Sequence, residues 1–292
     1  MRLEKIVETQ AKSILVKSRL PDSDYVVNPY TGCSHGCAYC YASFMGKFVG
    51  RSEEEWGNYL YAKTNAVEVF EKELKKMPAS LRKSSIFISS VTDPYQAAEL
   101  QYRLTRGILE VLNRERYPGE VGILTKSNIV LRDIDLFKSL PKAEVGMTVT
   151  TTDDTLSRLL EAHAPAGSIR IQALKKMHDS GVNTYAFVEP LLPHLKDKPE
   201  LLEKLFADIA SAGVESVYVE HINLKPYIKK RLWKVVEKEP ADVRAAYAEA
   251  DSEAYRDELN KVVKELMEKY GLRLRLGEVL YHKEFMKESK WK

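Results

Sequence analysis

The sequence predicts an α/β fold, a partial (β/α)6 barrel that resembles an incomplete TIM barrel, followed by a C-terminal helical extension. Three observations predict it. Short β-rich runs alternate with longer stretches of helical period, polar residues follow the apolar bodies of these runs, and the pattern changes after about residue 225. We therefore place the barrel in residues 1–225 and the extension, packed on the barrel, in residues 226–292.

Six β-α units are predicted in chain order, beginning with a short strand in the segment "YVVNP". The later strands are predicted at 85–91, 120–125, 143–149, 183–189 and 215–220. Candidate helices follow them, and those in 99–115 and 199–212 repeat apolar residues with the period of an amphipathic helix. Strands that alternate with helices in this way form a parallel sheet with helical crossovers.

Polar side chains follow the predicted strands where each strand ends. They are Thr92, Asp93, Lys126, Thr148, Thr150, Glu189, Glu220 and His221. In parallel α/β barrels the reactive face is built at the carboxyl ends of the strands. We expect these residues to surround one opening.

The C-terminal extension begins with the basic segment 225–238 and continues into a long charged helix that is predicted to end near Tyr270. Two interpretations of the basic segment stay open. It forms a plain amphipathic helix with a solvated basic face, or its cations and the aromatic Tyr227 and Trp233 bind a nucleic-acid backbone with stacked bases.

The 292 residues include 45 basic and 42 acidic side chains, a net charge of +3, and 44% of them are hydrophobic. This composition can bury a large core and excludes the strongly polyanionic and polycationic classes, but the charge identifies no partner. No run of about 18 apolar residues occurs, and the N-terminus lacks the apolar core of a secretory signal. We expect a cytoplasmic protein with no membrane association.

All three cysteines lie in one loop, within the segment "NPYTGCSHGCAYCYASF". The spacing Cys33-x3-Cys37-x2-Cys40 suits the ligation of one compact inorganic core, and a reducing cytoplasm keeps such thiols unpaired. A cubane iron–sulfur cluster usually takes four thiolates, so three leave one iron open to a substrate or cofactor. The alternative is a zinc site made of the three cysteines with His35 or another histidine.

This motif resembles the signature of the radical S-adenosylmethionine (SAM) enzymes, in which an aromatic residue, here Tyr39, precedes the last cysteine. Within that superfamily the chain is similar to the spore photoproduct lyase-like group, often labelled DNA repair photolyases. The resemblance covers roughly residues 26–225 and is carried by four segments, 28–42, 91–112, 123–137 and 150–182.

The resemblance implies a barrel of the radical SAM type with a [4Fe-4S] cluster held by Cys33, Cys37 and Cys40. It also implies that S-adenosylmethionine binds the fourth iron and is cleaved to a 5′-deoxyadenosyl radical that abstracts hydrogen from a substrate. The implied cofactor-binding residues are Tyr39 near the adenine or cluster, Thr92 near the methionyl group, Lys126 at the carboxylate and Thr148 near the ribose. A flavodoxin- or ferredoxin-like partner is expected to supply the electron, because the sequence offers no second redox centre.

The chain departs from this group at the residue that returns a hydrogen atom to the product. Spore photoproduct lyase uses a further cysteine at the end of the second strand, and the matching residue here is Ser90, whose O–H bond is too strong to donate hydrogen readily. Tyr41 and Tyr95 are alternative donors.

The substrate therefore stays open. Nucleic acid is suggested by analogy with the group, and such an analogy does not determine the reaction. A peptide or a small molecule is the alternative within the same chemistry. A non-catalytic zinc-containing module that docks nucleic acid through 225–238 is the alternative of a different class.

Overall fold

The computed structural model describes residues 6–20 and 22–281. The strands in this part of the chain form two sheets. In chain order they are β1 (Val7–Thr9), β2 (Leu15–Lys17), β3 (Tyr25–Val27), β4 (Tyr30–Thr31), β5 (Tyr61–Lys63), β6 (Ile86–Ile88), β7 (Val121–Thr125), β8 (Ala143–Thr148), β9 (Asn183–Leu191), β10 (Ser216–His221) and β11 (Arg273–Leu274).

The larger sheet has the strand order β11-β10-β9-β8-β7-β6-β3-β2. Neighbouring strands are parallel from β3 to β11, and β2 is antiparallel to β3. The six predicted strands are β3 and β6 to β10, and each pairs with the next one along the chain. The predicted α/β fold is confirmed, and within the described residues the sheet does not close into a full barrel.

The smaller sheet, with the order β1-β5-β4, was not predicted from the sequence. Its strands are two or three residues long and therefore too short to show a period-2 pattern. Strand β4 directly precedes the cysteine loop, so this sheet anchors the loop on its N-terminal side.

Ten α-helices lie in the described residues. They are α1 (Ala66–Lys76), α2 (Glu99–Tyr102), α3 (Leu104–Arg114), α4 (Ile134–Ser139), α5 (Asp154–Leu160), α6 (Gly167–Asp179), α7 (Pro199–Ser211), α8 (Pro226–Val236), α9 (Ala241–Glu249) and α10 (Glu253–Lys269). The helix predicted in 99–115 is divided into α2 and α3, because Arg103 has a left-handed backbone with φ of 50°. The helices predicted in 199–212 and near Tyr270 are present as α7 and α10.

The segment after residue 225 packs on the sheet. Apolar residues of α8, α9 and α10 share one buried cluster with residues of β8, β9 and β10, and β11 pairs with β10. A domain boundary at residue 225 stays a prediction. No helix in residues 6–20 and 22–281 is both long and apolar enough to cross a membrane.

Two tyrosines, Tyr185 and Tyr218, lie at the end of the sheet where the strands begin. Tyr218 donates a hydrogen bond of 2.5 Å to Asp22, which precedes β3, so the sixth strand of the barrel is tied back to the first. The guanidinium of Arg275 lies 4.8 Å from the ring centroid of Tyr185 and 5.1 Å from that of Tyr218. These contacts join the first and last barrel strands at their amino ends.

Candidate functional site

The cysteine loop lies beyond the carboxyl end of β3, on the predicted face. Its three cysteines are free thiols, of which Cys33 and Cys37 are buried and Cys40 is half-buried. Burial raises the pKa of all three thiols, that of Cys37 to about 12 although the charge of Lys126 lowers it. A bound metal centre reverses this effect, because it deprotonates coordinating thiols.

Two glycine contacts allow the loop to turn tightly against residues 57–59. Gly32 has φ of +90°, and a Cβ atom there would lie 2.5 Å from the carbonyl oxygen of Tyr59. Gly57 has φ of +101°, and its Cβ would lie 2.8 Å from the Cα of Gly36. Only glycine fits such positions without displacing backbone atoms.

Polar side chains from the end of β6 hold the backbone of the loop. The Thr92 hydroxyl donates to the carbonyl of Gly32 at 2.5 Å, and the Gln96 amide donates to the Thr92 hydroxyl at 3.0 Å. The amide oxygen of Gln96 also accepts from the backbone N–H of Ser34 at 2.8 Å. Thr92 is thus part of the support of the loop, and its role near a methionyl group stays a prediction.

The structure brings Lys126 and Tyr39 together beside the cysteines. The ammonium of Lys126 lies 5.5 Å from the ring centroid of Tyr39. Burial lowers the pKa of Lys126, but the negative charges of Cys37, Glu161 and Glu189 outweigh burial and raise it. The surrounding charges therefore favour the protonated form of Lys126.

Asp93 holds the backbone of Lys126 in place. Its carboxylate accepts from the backbone N–H of Lys126 at 2.8 Å and from the Thr125 hydroxyl at 2.7 Å. The same carboxylate lies 3.4 Å from Nδ1 of His35, without hydrogen-bond geometry. Asp93, predicted as one of the polar strand-end residues, thus joins the ends of β6 and β7 to the cysteine loop.

A buried ion pair that the sequence did not predict lies under Tyr39. Glu161 and Arg170 are each 0% exposed and form a salt bridge, and the Tyr39 hydroxyl donates to the same carboxylate. Burial raises the pKa of Glu161, but the charges of Arg170 and Lys126 outweigh it and keep this pKa below its usual value. Arg170 also donates to the carbonyl of Thr148 at 3.2 Å.

This ion pair therefore connects Tyr39 to the end of β8. Thr148, the last residue of that strand, is 2% exposed, and its role near a ribose stays a prediction. The Thr150 hydroxyl donates to Glu161 at 3.4 Å, so a second predicted strand-end residue belongs to the same network.

Two strand-end carboxylates act electrostatically on residues of this site. The charge of Glu189 acts on Lys126, and burial together with the charges of Glu189 and Glu220 raises the pKa of Tyr41. The Tyr41 hydroxyl donates to the backbone carbonyl of Ser90. Tyr41 and the residue in the hydrogen-donor position therefore lie together, as expected.

Two other candidate residues, His221 and Tyr95, have buried side chains with partners elsewhere in the fold. The His221 Nε2 atom lies 2.8 Å from the Asn260 amide oxygen, and burial lowers the His221 pKa to about 4. The Tyr95 side chain is fully buried, and its hydroxyl donates to Asp133 at 3.0 Å. Both side chains pack in the interior, which does not suit Tyr95 as a hydrogen donor or His221 as a substrate contact.

The basic segment forms α8 with one buried apolar face, made of Ile228, Leu232 and Val236. Two of its exposed lysines, Lys230 and Lys234, both pair with Glu54. This contact agrees with the amphipathic-helix interpretation, and it removes two cations from any free basic surface. Binding of nucleic acid by 225–238 stays a prediction.

The loop fits an iron–sulfur group. Trp56 and Tyr59 pack in the same apolar cluster as Cys33, and their buried Nε1 and hydroxyl groups have no hydrogen-bond partner among the described residues. Cluster sulfurs accept hydrogen bonds from such donors. Across residues 6–20 and 22–281, no group of three or more His, Cys, Asp or Glu is arranged to hold one metal ion. A cubane differs, because each thiolate binds a different iron.

Comparison with protein families gives one matching model, described as the Radical SAM superfamily, over residues 27–206. An uncharacterized protein of Methanocaldococcus jannaschii is 34% identical over 220 residues, which cover 75% of this chain and 78% of that protein. An uncharacterized protein of Mycobacterium bovis is 31% identical over 205 residues, which cover 69% of this chain and 59% of that protein.

Solved structures share the fold at low sequence identity. Spore photoproduct lyase complexed with dinucleoside spore photoproduct has a TM-score of 0.67 and 16% identity, covering 94% of this chain and 82% of that chain. Streptococcus suis SuiB bound to S-adenosylmethionine has a TM-score of 0.56 and 14% identity, covering 91% of this chain and 52% of that chain. These similarities establish the partial-barrel architecture alone.

Proposed function

The chain belongs to the radical SAM superfamily, and we propose on this basis that it binds one [4Fe-4S] cluster and S-adenosylmethionine for radical chemistry on a substrate. One observation carries the proposal: three free thiols lie in a single loop at the carboxyl end of the first barrel strand, beside the charged Lys126. When bound, the cluster would supply the electron for reductive cleavage of S-adenosylmethionine, which gives a 5′-deoxyadenosyl radical.

In this proposal Cys33, Cys37 and Cys40 hold three irons and leave the fourth to the cofactor. The tight turn at Gly32 and the burial of Cys33 and Cys37 support it, because they exclude water and give the thiolates one fixed arrangement. Thr92 and Gln96 also support this arrangement of the thiolates, because both hydrogen-bond to the loop backbone.

Lys126 is proposed to bind the carboxylate of S-adenosylmethionine. Its ammonium is a compact positive charge that stays protonated, and its backbone is fixed by Asp93. Tyr39 offers a flat aromatic ring next to this ammonium, which suits a contact with the adenine or the cluster. Thr92 is proposed near the methionyl group and Thr148 near the ribose, because Thr92 follows β6 and Thr148 ends β8 at the carboxyl side of the sheet.

We propose nucleic acid as the first substrate class to test. Directly after Cys40, the 3-10 helix Tyr41–Val49 carries Phe44 and a 66% exposed Phe48, and the Lys47 ammonium lies 5.4 Å and 5.0 Å from their ring centroids. Exposed aromatic rings with adjacent cations stack unpaired bases. The likeness to spore photoproduct lyase with a dinucleoside agrees with this choice.

A peptide is the second substrate class. SuiB bound to its precursor peptide shares the fold with a TM-score of 0.50 and 15% identity, covering 80% of this chain and 46% of that chain. A flavodoxin- or ferredoxin-like protein is proposed as the electron donor, because all three cysteines of the chain are assigned to one cluster.

Anaerobic reconstitution tests the proposed function. We expect iron and sulfide in near-equal amounts, and release of 5′-deoxyadenosine when dithionite and S-adenosylmethionine are added. Deuterium should then enter 5′-deoxyadenosine from labelled DNA or RNA. Zinc at one equivalent without cofactor cleavage would contradict the enzyme and support the zinc-containing module, and deuterium from a peptide or metabolite fraction alone would contradict the nucleic-acid substrate.

A second prediction follows from Ser90. When the protein is given spore photoproduct, we expect slow or aberrant products and little intact thymine, because no thiol is available to return a hydrogen atom. The Ser90→Cys protein should give a larger thymine fraction, measured by chromatography of the digested DNA. Ser89→Cys, which adds a thiol at the adjacent buried residue, should not. Efficient repair by the unchanged sequence would overturn the hydrogen-donor argument.

A further inference from the structure

Helix α8 contacts the cysteine loop through a buried arginine. One Nη atom of Arg231 donates to the carbonyl of Cys37 at 3.0 Å, and the other donates to the carbonyl of Ala38 at 3.3 Å. Arg231 is 8% exposed. It lies beyond residue 206, where the match to the family model ends, so membership of the superfamily assigns it no role.

Helix α8 hydrogen-bonds to the loop backbone both before and after Cys40. The hydroxyl of Tyr227, one helical turn before Arg231, donates to the carbonyl of Tyr41 at 3.0 Å. On the other side of α8, Lys230 and Lys234 pair with Glu54. The orientation of the helix is therefore fixed, and the planar fork of the guanidinium meets two consecutive carbonyls of the loop.

No carboxylate lies within salt-bridge distance of Arg231 in the part of the chain that the structure describes. A cation removed from water is costly unless an opposite charge compensates it. Burial lowers the pKa of Arg231, and the charges of Cys40, Cys37 and Tyr59 act against this lowering without outweighing it. Through its hydrogen bonds to the Cys37 and Ala38 carbonyls, this buried cation lies against the loop that would hold the anionic cluster.

We propose that Arg231 is a positioning residue that clamps the Cys37–Ala38 backbone and raises the reduction potential of the cluster bound there. The inference rests on the proposed function, since it concerns the same cluster. A nearby positive charge stabilises the reduced cluster, which is the more negative of the two states, and charge around a cluster is one of the factors that set its potential.

The test is a midpoint potential measured by EPR-monitored titration of the full-length, reconstituted protein. We expect Arg231→Gln to lower the equilibrium constant for one-electron reduction about tenfold, which corresponds to about 59 mV. Arg231→Lys keeps the charge and should stay within about twofold of the parent, while it releases iron faster to a chelator because it lacks the guanidinium fork. Lys229→Gln removes an exposed cation from the same helix and is the matched control, with no expected shift.

Three results would overturn the inference. They are an unchanged midpoint potential in Arg231→Gln, an equal shift of the potential in Lys229→Gln, or a tenfold change of the reduction equilibrium constant in Arg231→Lys. If the Arg231→Gln protein does not fold, the Arg231→Lys protein decides the question. Each leaves the proposed function intact, because the parent still binds its cluster. A parent protein that takes up no cluster would contradict the proposed function and the inference together.

Discussion

The Cys33→Ala protein is expected to fold and to lose its bound iron almost completely. Each thiolate of a cubane binds one iron, so removal of one ligand leaves two attachment points for the whole cluster. Loss of a residue outside the ligand set already costs about 10- to 100-fold in metal affinity, and loss of a direct ligand should exceed that range. Iron per protein after anaerobic reconstitution and desalting measures the effect, and release of 5′-deoxyadenosine should fall below detection.

Ser34→Ala is the matched control for this substitution. Ser34 is buried in the same loop, and the support it receives from Gln96 goes to its backbone N–H, which the substitution keeps. We expect this control to retain iron. The melting temperature of the metal-free Cys33→Ala protein should stay close to that of the metal-free parent, since the two large apolar clusters of the core do not include Cys33. Full iron content in Cys33→Ala would refute the ligand assignment.

The barrel strands could be predicted because each is a buried apolar run between segments of helical period. Burial on both faces removes the alternation that single-sided strands show, so length and β-branched composition carry the signal. Strands β2 and β11 could not be predicted in this way. They are two or three residues long, and they exist because the edges of the larger sheet offer them hydrogen-bond partners.

The site was predictable only in part. The polar strand ends identified Lys126 and Asp93, since local sequence places such residues at one edge of a parallel sheet, and the resemblance to the radical SAM signature identified Tyr39. Glu161 and Arg170 were missed because a charged residue in a helical segment is normally solvated. Their burial results from the packing of α5 and α6 against the cysteine loop, which no local pattern encodes.

The same limit explains Arg231. The basic segment around it predicts an amphipathic helix, and Ile228, Leu232 and Val236 fulfil that pattern. A single arginine among five neighbouring cations gives no sign that it is the one turned inward. Only the position of the cysteine loop, far away in sequence, distinguishes Arg231 from the exposed Lys229 and Lys230.

Arg170→Met is expected to be the most destabilising single substitution at the site. It leaves the Glu161 carboxylate buried without its main partner, and breaking a buried pair in this way costs about 3–5 kcal/mol. Urea denaturation of the metal-free protein measures the loss in the free energy of unfolding. Lys175→Met is the matched control on the same helix, because Lys175 pairs with Asp179 in solvent, and such pairs contribute about 1 kcal/mol or less.

The free energy of unfolding that Arg170→Met loses should depend on pH, and the loss should be smaller at acidic pH. The folded-state pKa of Glu161 lies below its ordinary value, so the stability from this ionised group is present above about pH 4.3, the unfolded value, and disappears as the pH falls through the folded pKa. In Arg170→Met the buried carboxyl binds a proton more readily, so its deficit relative to the parent should shrink toward acidic pH. A deficit that stays constant from neutral to acidic pH would point to lost packing and not to an uncompensated charge.

A double substitution separates stability from function. Glu161→Leu with Arg170→Met replaces the pair by apolar side chains, which in buried sites is often neutral or stabilising, so much of the lost free energy of unfolding should return. Cofactor cleavage should not return with it, because the Tyr39 hydroxyl loses its acceptor and the carbonyl of Thr148 loses its donor. Recovery of both stability and 5′-deoxyadenosine release in the double variant would show that the ion pair contributes packing and that its charges have no role in cofactor cleavage. Recovery of stability alone would show that its charge positions Tyr39 beside the cysteines.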